Sequence, residues 1–440
     1  MQRRAEAWER FAAASVPTEA EEVWRYSGIN RFDLDAYGPA PGPGADPTRA
    51  LERARALADA FGRRAGLVVT RNGQVLSVEM APSTPDDALS VTGGRDAPDA
   101  PVGLGTLAPG GDAFGALHDA FLRDVVVVRV ARKAVVADPV VVVHLVDADA
   151  PGALGVSAFP RTIVSLGTSA EAGVIELSAP AAGAVDGRPV GGEHGPAPRT
   201  TLVLPVTELD VADDARLRYA NLQVLDAAAT SIAVQASRIG RDGSLRSFTA
   251  GLGGAYARVH TDSDLVGQAG RASLLAAYLG TAGQVHDFRT TQDHHAPRTE
   301  SELLFEGAVA DVARSVYSGL IRIRKGAHGA NAFQTNHNLV LSEGARADSV
   351  PNLDIDENDV RCSHASTVGP IDEEQRYYLE TRGIEPSVAE RLVVLGFFAD
   401  LAGRAPFPGI GAWVEEAVAA RLAGRLPAER TADSSGGSRG

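Results

Sequence analysis

The chain has 440 residues, 56 acidic against 42 basic, for a formal net charge of −14, and it is 44% hydrophobic with only 5% aromatics. Its single cysteine excludes a disulfide framework and any four-cysteine zinc or iron–sulfur site within one chain. The acidic balance argues against broad binding of nucleic acid or anionic membrane, both of which need a basic face.

From the N-terminus, residues 1–11 mix Arg3 and Arg4 with Glu6 and Glu9 and contain no apolar leader segment. The most apolar stretch, 135–146, is interrupted by Asp138, Pro139 and His144 and is too short to span a bilayer. The expected location is cytoplasmic. Ala5, Trp8 and Phe11 recur at helical spacing, and Pro17-Thr18 opens a second, short acidic helix expected to run to Tyr26. Residues 48–62, rich in Ala and Leu, predict a capped helix. Residues 67–70 and 74–78, joined through Asn72-Gly73, predict a hairpin. Residues 82–111 are dense in Pro, Gly and Asp and predict a loop.

From residue 125 to about 341 short Val/Ile/Leu-rich runs follow one another, as at Val125–Val130, 140–145, 162–166, 174–177, 202–206 and 320–323. No helical period intervenes, so an all-β architecture is expected rather than α/β winding. The segment 180–198 is a Gly/Pro-rich insertion. Gly243, Gly267, Gly283, Gly307, Gly326 and Gly344 lie 24, 16, 24, 19 and 18 residues apart, a spacing of the size of one coil in a parallel β-helix. On pattern alone a β-sandwich remains equally open.

Helices return at the C-terminal end. Asp372 and Gln375 have capping-box spacing, Tyr378 and Leu379 follow on one face, and Gly383 stops the helix. Pro386 sits at a first helical position ahead of Leu392, Leu395 and Ala399, and Val414, Val418 and Leu422 define a third helix. The tail from Thr431 is expected to be disordered. The resulting division is 1–123, mainly helical with a short hairpin; 124–369, β core; 370–427, helical; and 428–440, disordered.

Seven of the ten histidines lie between His260 and His364. His286, His294 and His295 are close enough in sequence to supply metal ligands, although turns alone also favour Asp and His. A cytoplasmic metal-dependent hydrolase built on them is one functional alternative. A polysaccharide-acting β-helix enzyme, which needs carboxylates grouped along one groove, is another. No Gly-x-Ser-x-Gly, His-Glu-x-x-His, dinucleotide or phosphate-loop motif occurs, which argues against ATP binding by this chain. Residues 348–382 hold nine acidic and three basic residues, and within them lies Arg361-Cys362-Ser363-His364. On a regular strand Cys362 and His364 share a face, and a thiolate beside an imidazole suits iron or iron–sulfur species better than calcium or magnesium. Two ligands do not close a site. Further ligands must come from elsewhere, and a buried small Cys362 with a hydrogen-bonded surface His364 is the bland alternative.

At these residues the sequence resembles the SufD branch of the SufB/SufD family, from the SUF iron–sulfur cluster assembly system. The resemblance is carried by Asn352-Leu-Asp-Ile-Asp-Glu-Asn-Asp-Val-Arg-Cys-Ser-His-Ala-Ser-Thr-Val-Gly369 and by its continuation, Ile371-Asp-Glu-Glu-Gln-Arg-Tyr-Tyr-Leu-Glu-Thr-Arg-Gly-Ile384. Weaker matches are Phe333-Gln-Thr-Asn-His-Asn-Leu-Val-Leu-Ser342, Gln284-Val-His-Asp287, Pro160-Arg161 and Glu22-Val-Trp-Arg-Tyr26. Where the SufB branch reads Gln-Cys-Asp-Ser this chain has Thr335-Asn336-His337-Asn338, and where SufB reads His-Glu-Ala it has Cys362-Ser363-His364-Ala365. Ser366 departs from the usual Gly–Ala–Thr run, and the 180–198 insertion is longer than typical.

The resemblance implies a right-handed parallel β-helix flanked by helical regions, and a scaffold rather than an enzyme. It implies pairing with a SufB-like paralogue through the β-helix, and binding of a SufC-like ABC ATPase through the C-terminal helices, with Asp372, Glu373, Tyr377, Tyr378 and Arg382 as contacts. It further implies transient iron or an iron–sulfur cluster at His364, with Cys362 as a second donor, shared with the SufB-like subunit. No cofactor is expected to stay bound to the isolated chain, which is a candidate homodimer. Neither a nucleic acid nor a membrane is an expected partner.

Overall fold

The computed structural model describes residues 2–42, 46–85, 87–94, 105–108, 111–148, 154–182 and 200–423. It is mainly β, with a solenoid of about seven turns and helices at either end. Each turn lays one strand in each of two parallel sheets. Sheet 1 includes Ala229–Ile239, Tyr256–Leu265, Val285–His294, Arg314–Ile323 and Arg346–Ile355. Sheet 2 includes Ser244–Gly251, Arg271–Gly280, Glu300–Val309, Asn331–Val340 and Arg361–Gly369. This is the parallel β-helix, and the sandwich is excluded because consecutive turns pair in parallel.

The coil period differs from the one the glycines suggest. Thr230 pairs with Tyr256, Tyr256 with Val285, Val285 with Arg314 and Arg314 with Arg346, steps of 26, 29, 29 and 32 residues. One corner of each turn is marked instead by a left-handed residue: Lys133, Ser169, Asp214, Asp242, Ala269 and Arg298 all have positive φ. The amide of each bonds to the corner of the next turn, as Asp214 N to Arg241 O (2.8 Å), Asp242 N to Gln268 O (2.9 Å) and Ala269 N to Pro297 O (3.0 Å). Side chains stack along the lumen. At Gly307 only hydrogen fits, because a Cβ would overlap the ring of Tyr278.

Strands of the N-terminal turns, such as Val125–Val130 and Val140–Val146, read as nearly continuous apolar runs because both faces are covered. Inside the solenoid, Val128, Val142, Val164, Leu209, Leu217 and Leu245 pack together, followed by Tyr278, Phe288, Phe305 and Tyr317 in later turns. Outside sheet 2 lie helices α2 (Thr48–Asp59), α5 (Pro386–Gly403) and α6 (Pro408–Ala423), whose Ala54, Val394, Phe398, Leu401, Val414 and Val418 are at most 1% exposed. Outside sheet 1, Trp24, Ile29, Phe114 and Leu117 pack against Leu202, Leu204 and Ile232; Phe114 and Leu117 belong to α3 (Ala113–Phe121), on which α1 (Gln2–Ala13) rests. The acidic segment expected as a helix to Tyr26 forms only a single 3-10 turn, Glu22–Trp24. Its backbone is held from the sheet instead: Arg258 Nη2 donates to Val23 O (2.8 Å) and Arg289 Nη2 to Arg25 O (2.6 Å).

The two ends of the solenoid differ. At the N-terminal end Gln74–Met80 closes sheet 2 and Leu89–Gly94 closes sheet 1, both antiparallel, so the predicted hairpin is part of the sheet. At the C-terminal end both sheets stop, at Arg346–Ile355 and Arg361–Gly369, with no further strand among the described residues. The expected disordered tail, 428–440, lies outside the described residues, as do 183–198 of the Gly/Pro-rich insertion.

Candidate functional site

The open end is built by Arg361–Gly369, a nine-residue strand in unbroken register with Asn331–Val340. No bulge interrupts it, so the predicted geometry holds: Cys362, His364, Ser366 and Val368 pair with Ala332, Gln334, Asn336 and Asn338, all buried on the lumen face. Cys362 is half-buried against Ile321, Ile323, Ala327, Ala330 and Ala332. Burial pushes its thiol above the ordinary value. His364 is exposed at the rim. In the last sheet 1 strand Leu353 and Ile355 are 39% and 41% exposed, and Val368, four residues along the strand from His364, is 45% exposed. Long edge strands with apolar side chains on view are a template for pairing with another chain.

The second cluster is helical. Asp372 caps α4 (Glu373–Glu380), accepting from Glu374 N (2.9 Å) and Gln375 N (3.3 Å). Glu373 pairs with Arg376 at 2.6 Å. Tyr377 and Tyr378 are 69% and 56% exposed, and the Arg382 guanidinium lies 3.5 Å from the Tyr378 ring centroid. Between α4 and α5 runs a groove of about 930 Å³ lined by Leu339, Asp372, Tyr378, Leu379, Leu392 and Phe397. The structure thus brings Asp372, Glu373, Tyr377, Tyr378 and Arg382 together on one short helix and its C-terminal turn.

The histidine cluster does not form. His286 and His294 lie on the same strand, eight residues apart, which separates them by roughly 26 Å. Both point into the lumen and are fully buried; burial drives His286 down to about 3, with the Arg421 charge assisting, and His294 down to about 4. His294 is satisfied by Thr299 Oγ1 (2.7 Å) and Ser301 Oγ (2.8 Å). His295 faces outward and meets Asp264 and Asp293, the three donor groups lying within 4.8 Å of one another. A cation already occupies that position: Arg324 grips Asp293 through both nitrogens, at 2.8 and 2.7 Å. The three histidines therefore offer no metal-hydrolase centre, because strand geometry separates what sequence proximity joins.

Two of the quoted motifs prove to be anchors. Asp287, wholly buried, accepts from Arg258 (2.5 Å), Arg289 (2.6 Å) and Tyr256 OH (3.2 Å), and Arg258 stacks 3.8 Å over the Trp24 ring. Asp287 thereby fastens the Trp24–Tyr26 segment to sheet 1. Arg161, also buried, holds Asp119 (2.9 Å) and Glu208 (2.6 Å). Inside the lumen Glu176 accepts from His144 (2.7 Å), Thr162 (2.6 Å), Thr207 (2.9 Å) and Tyr219 (2.5 Å). Sequence reading passed over this network; its signal was ionisable residues placed singly inside otherwise apolar strands.

Comparison with known proteins gives a consistent result. The family described as "SUF system FeS cluster assembly, SufBD core domain" matches residues 148–397. An iron–sulfur cluster assembly SufBD family protein of Mycobacterium tuberculosis is 40% identical over 210 residues, 46% of this chain and 53% of that protein. Iron–sulfur cluster assembly proteins SufD of Escherichia coli and Bacillus subtilis are each 31% identical, over 219 and 214 residues; these cover 50% and 48% of this chain and 51% and 49% of theirs. The chain spans about half the length of the curated relatives it matches.

Proposed function

Because the chain belongs to the SufBD core family of the SUF iron–sulfur cluster assembly system, we propose that it is a non-catalytic scaffold subunit, pairing with a SufB-like paralogue and binding a SufC-like ATPase. The observation that carries this reading is the unpaired C-terminal end of both sheets, which presents His364 on the rim of the lumen. A partner adding its own strands to those edges would satisfy their open backbone groups and cover Leu353, Ile355 and Val368. The same addition would bring the partner's ligands beside His364.

His364 is the donor of choice there. A neutral imidazole binds iron without losing a proton, while the Cys362 thiol, raised by burial, must first lose one. The nascent cluster is cargo in this scheme. The ATPase would dock on α4 and its groove, where Tyr377 and Tyr378 supply exposed aromatic anchors. ATP hydrolysis belongs to that partner. The subunit acts in the cytoplasm, and in isolation the open edges would allow two copies to pair. Reconstitution of the three-protein assembly with His364→Ala tests the reading: the assembly should form, and cluster formation should fall well below the wild-type rate. Wild-type cluster formation by an intact variant assembly would refute the role of His364.

A further inference from the structure

The lumen layer directly beneath the mouth contains a polar side chain that the fold leaves unsatisfied. Gln334 is 1% exposed, and neither its Oε1 nor its Nε2 has a hydrogen-bond partner among the described residues. It lies against Gly319 of sheet 1, where a Cβ would fall only 2.6 and 2.5 Å from those two atoms, so the glycine makes the room they occupy. Its polar neighbours in the lumen are engaged elsewhere. Asn336 Nδ2 donates to Tyr278 OH (3.0 Å) and Phe305 O (3.1 Å), Asn336 Oδ1 accepts from Asn338 Nδ2 (2.7 Å), and the Tyr317 hydroxyl bonds Thr290 Oγ1 (3.0 Å). On the turn below, Gln334 pairs with Leu303, which offers nothing polar; on the last turn it pairs with His364. A buried amide with both ends unpaired is costly, and it marks a place where a partner is due.

We infer that Gln334 is the positioning residue for His364, an inference that rests on the donor role proposed above for that histidine. The two are not hydrogen-bonded in the structure, where the ring is exposed. Parallel strands run about 4.8 Å apart, so two side chains in register on one face reach each other once the ring turns inward about its own bonds, and no strand has to shift. Gln334 Oε1 then accepts a hydrogen bond from the inner ring nitrogen. That bond keeps the proton on the inner nitrogen and leaves the lone pair of the outer one free for iron at the mouth. The opposite sense, Nε2 donating to the ring, would put the proton on the outer nitrogen and block it. An acceptor behind a ligating imidazole fixes its tautomer and orientation and raises its basicity. His364 stands on the last sheet 2 strand among the described residues, so on this chain the restraint comes from the turn below.

Nitrogen NMR of the full chain, isotopically labelled at the histidine rings, reads the bond directly, and the His364 signals are identified by their loss in His364→Ala. Wild type should show one dominant tautomer at His364. Gln334→Leu, similar in size and relieved of two unsatisfied atoms, should fold at least as stably and should leave both tautomers populated. In the reconstituted assembly Gln334→Leu should slow cluster formation by about 10-fold or more, the usual loss when the partner of a ligating imidazole is removed. A merely structural Gln334 would change stability on replacement without touching the His364 ring. The inference is overturned if wild type already populates both tautomers, if Gln334→Leu leaves the tautomer unchanged, or if clusters form in that variant at the wild-type rate. His364→Ala in the same assembly separates the two levels. Impaired His364→Ala beside unimpaired Gln334→Leu removes the positioning role alone, whereas a wild-type rate in His364→Ala removes the donor role and the positioning role with it.

Discussion

Replacing Asp287 by alanine removes the one carboxylate shared by two buried arginines. Arg258 and Arg289 have side chains only 3% and 6% exposed, and Asp287 accepts from both at 2.5 and 2.6 Å. Stripping one partner from a buried charge pair costs about 3–5 kcal/mol, since the remaining charges are left without compensation. Tyr256 OH loses an acceptor as well, adding about 1 kcal/mol. The variant should thus lose about 4–6 kcal/mol of unfolding free energy, read from urea denaturation followed by tryptophan fluorescence. The loss should also be local. Arg258 and Arg289 hold Val23 O and Arg25 O, so amide hydrogen exchange over residues 22–27 should quicken most. Adding Arg258→Met should recover part of the loss by removing an uncompensated charge, less the stacking over Trp24, worth about 0.5–2 kcal/mol. An Asp287→Ala protein within 1 kcal/mol of wild type, with unchanged exchange at residues 22–27, would refute the anchor.

The remaining predictions concern pH and partner binding. His286 is neutral in the fold, its pKa driven down to about 3, against about 6.5 in an unfolded chain, so the unfolded state takes up the proton first as pH falls. Stability should therefore drop between pH 6.5 and 3 by up to about 5 kcal/mol from this group, and His286→Leu should show a shallower acid loss of urea midpoint than wild type; parallel pH profiles would contradict the assignment. Tyr377→Ala, at a side chain 69% exposed, should leave thermal stability unchanged and weaken ATPase-subunit binding by roughly 30-fold, the effect of losing one aromatic hot spot of about 2 kcal/mol. Unaltered affinity by calorimetry would move the docking surface elsewhere.

Much of this architecture is legible in the sequence where local chemistry decides it. Asp372 before α4 and Pro386 at the start of α5 mark helix starts that the structure keeps, because caps act through their own nearest amides. The apolar runs marked strands, since burial of both faces removes any need for alternation. The coil period stayed hidden because its steps vary from 26 to 32 residues and its corners use Lys133, Asp214 and Asp242 in place of glycine. The same-face relation of Cys362 and His364 follows from strand parity and needs no tertiary knowledge. What sequence proximity could not show is which face a residue takes: His294 enters the lumen while His295, its neighbour, leaves it. Nor could it show Arg258, held by Asp287, stacking over Trp24, which joins widely separated parts of the sequence.

The central claim is that the open C-terminal edges are the pairing surface for the SufB-like subunit. Native mass spectrometry of this chain co-expressed with a SufB-like protein and a SufC-like ATPase tests it directly, comparing wild type with Leu353→Lys/Val368→Lys, which places charges at two exposed apolar positions of the mouth. The account predicts a wild-type assembly holding this chain, the SufB-like subunit and the ATPase, and a variant that keeps the ATPase but releases the SufB-like subunit. A wild-type chain that never carries the SufB-like subunit, or a variant that retains it at full occupancy, would contradict the claim.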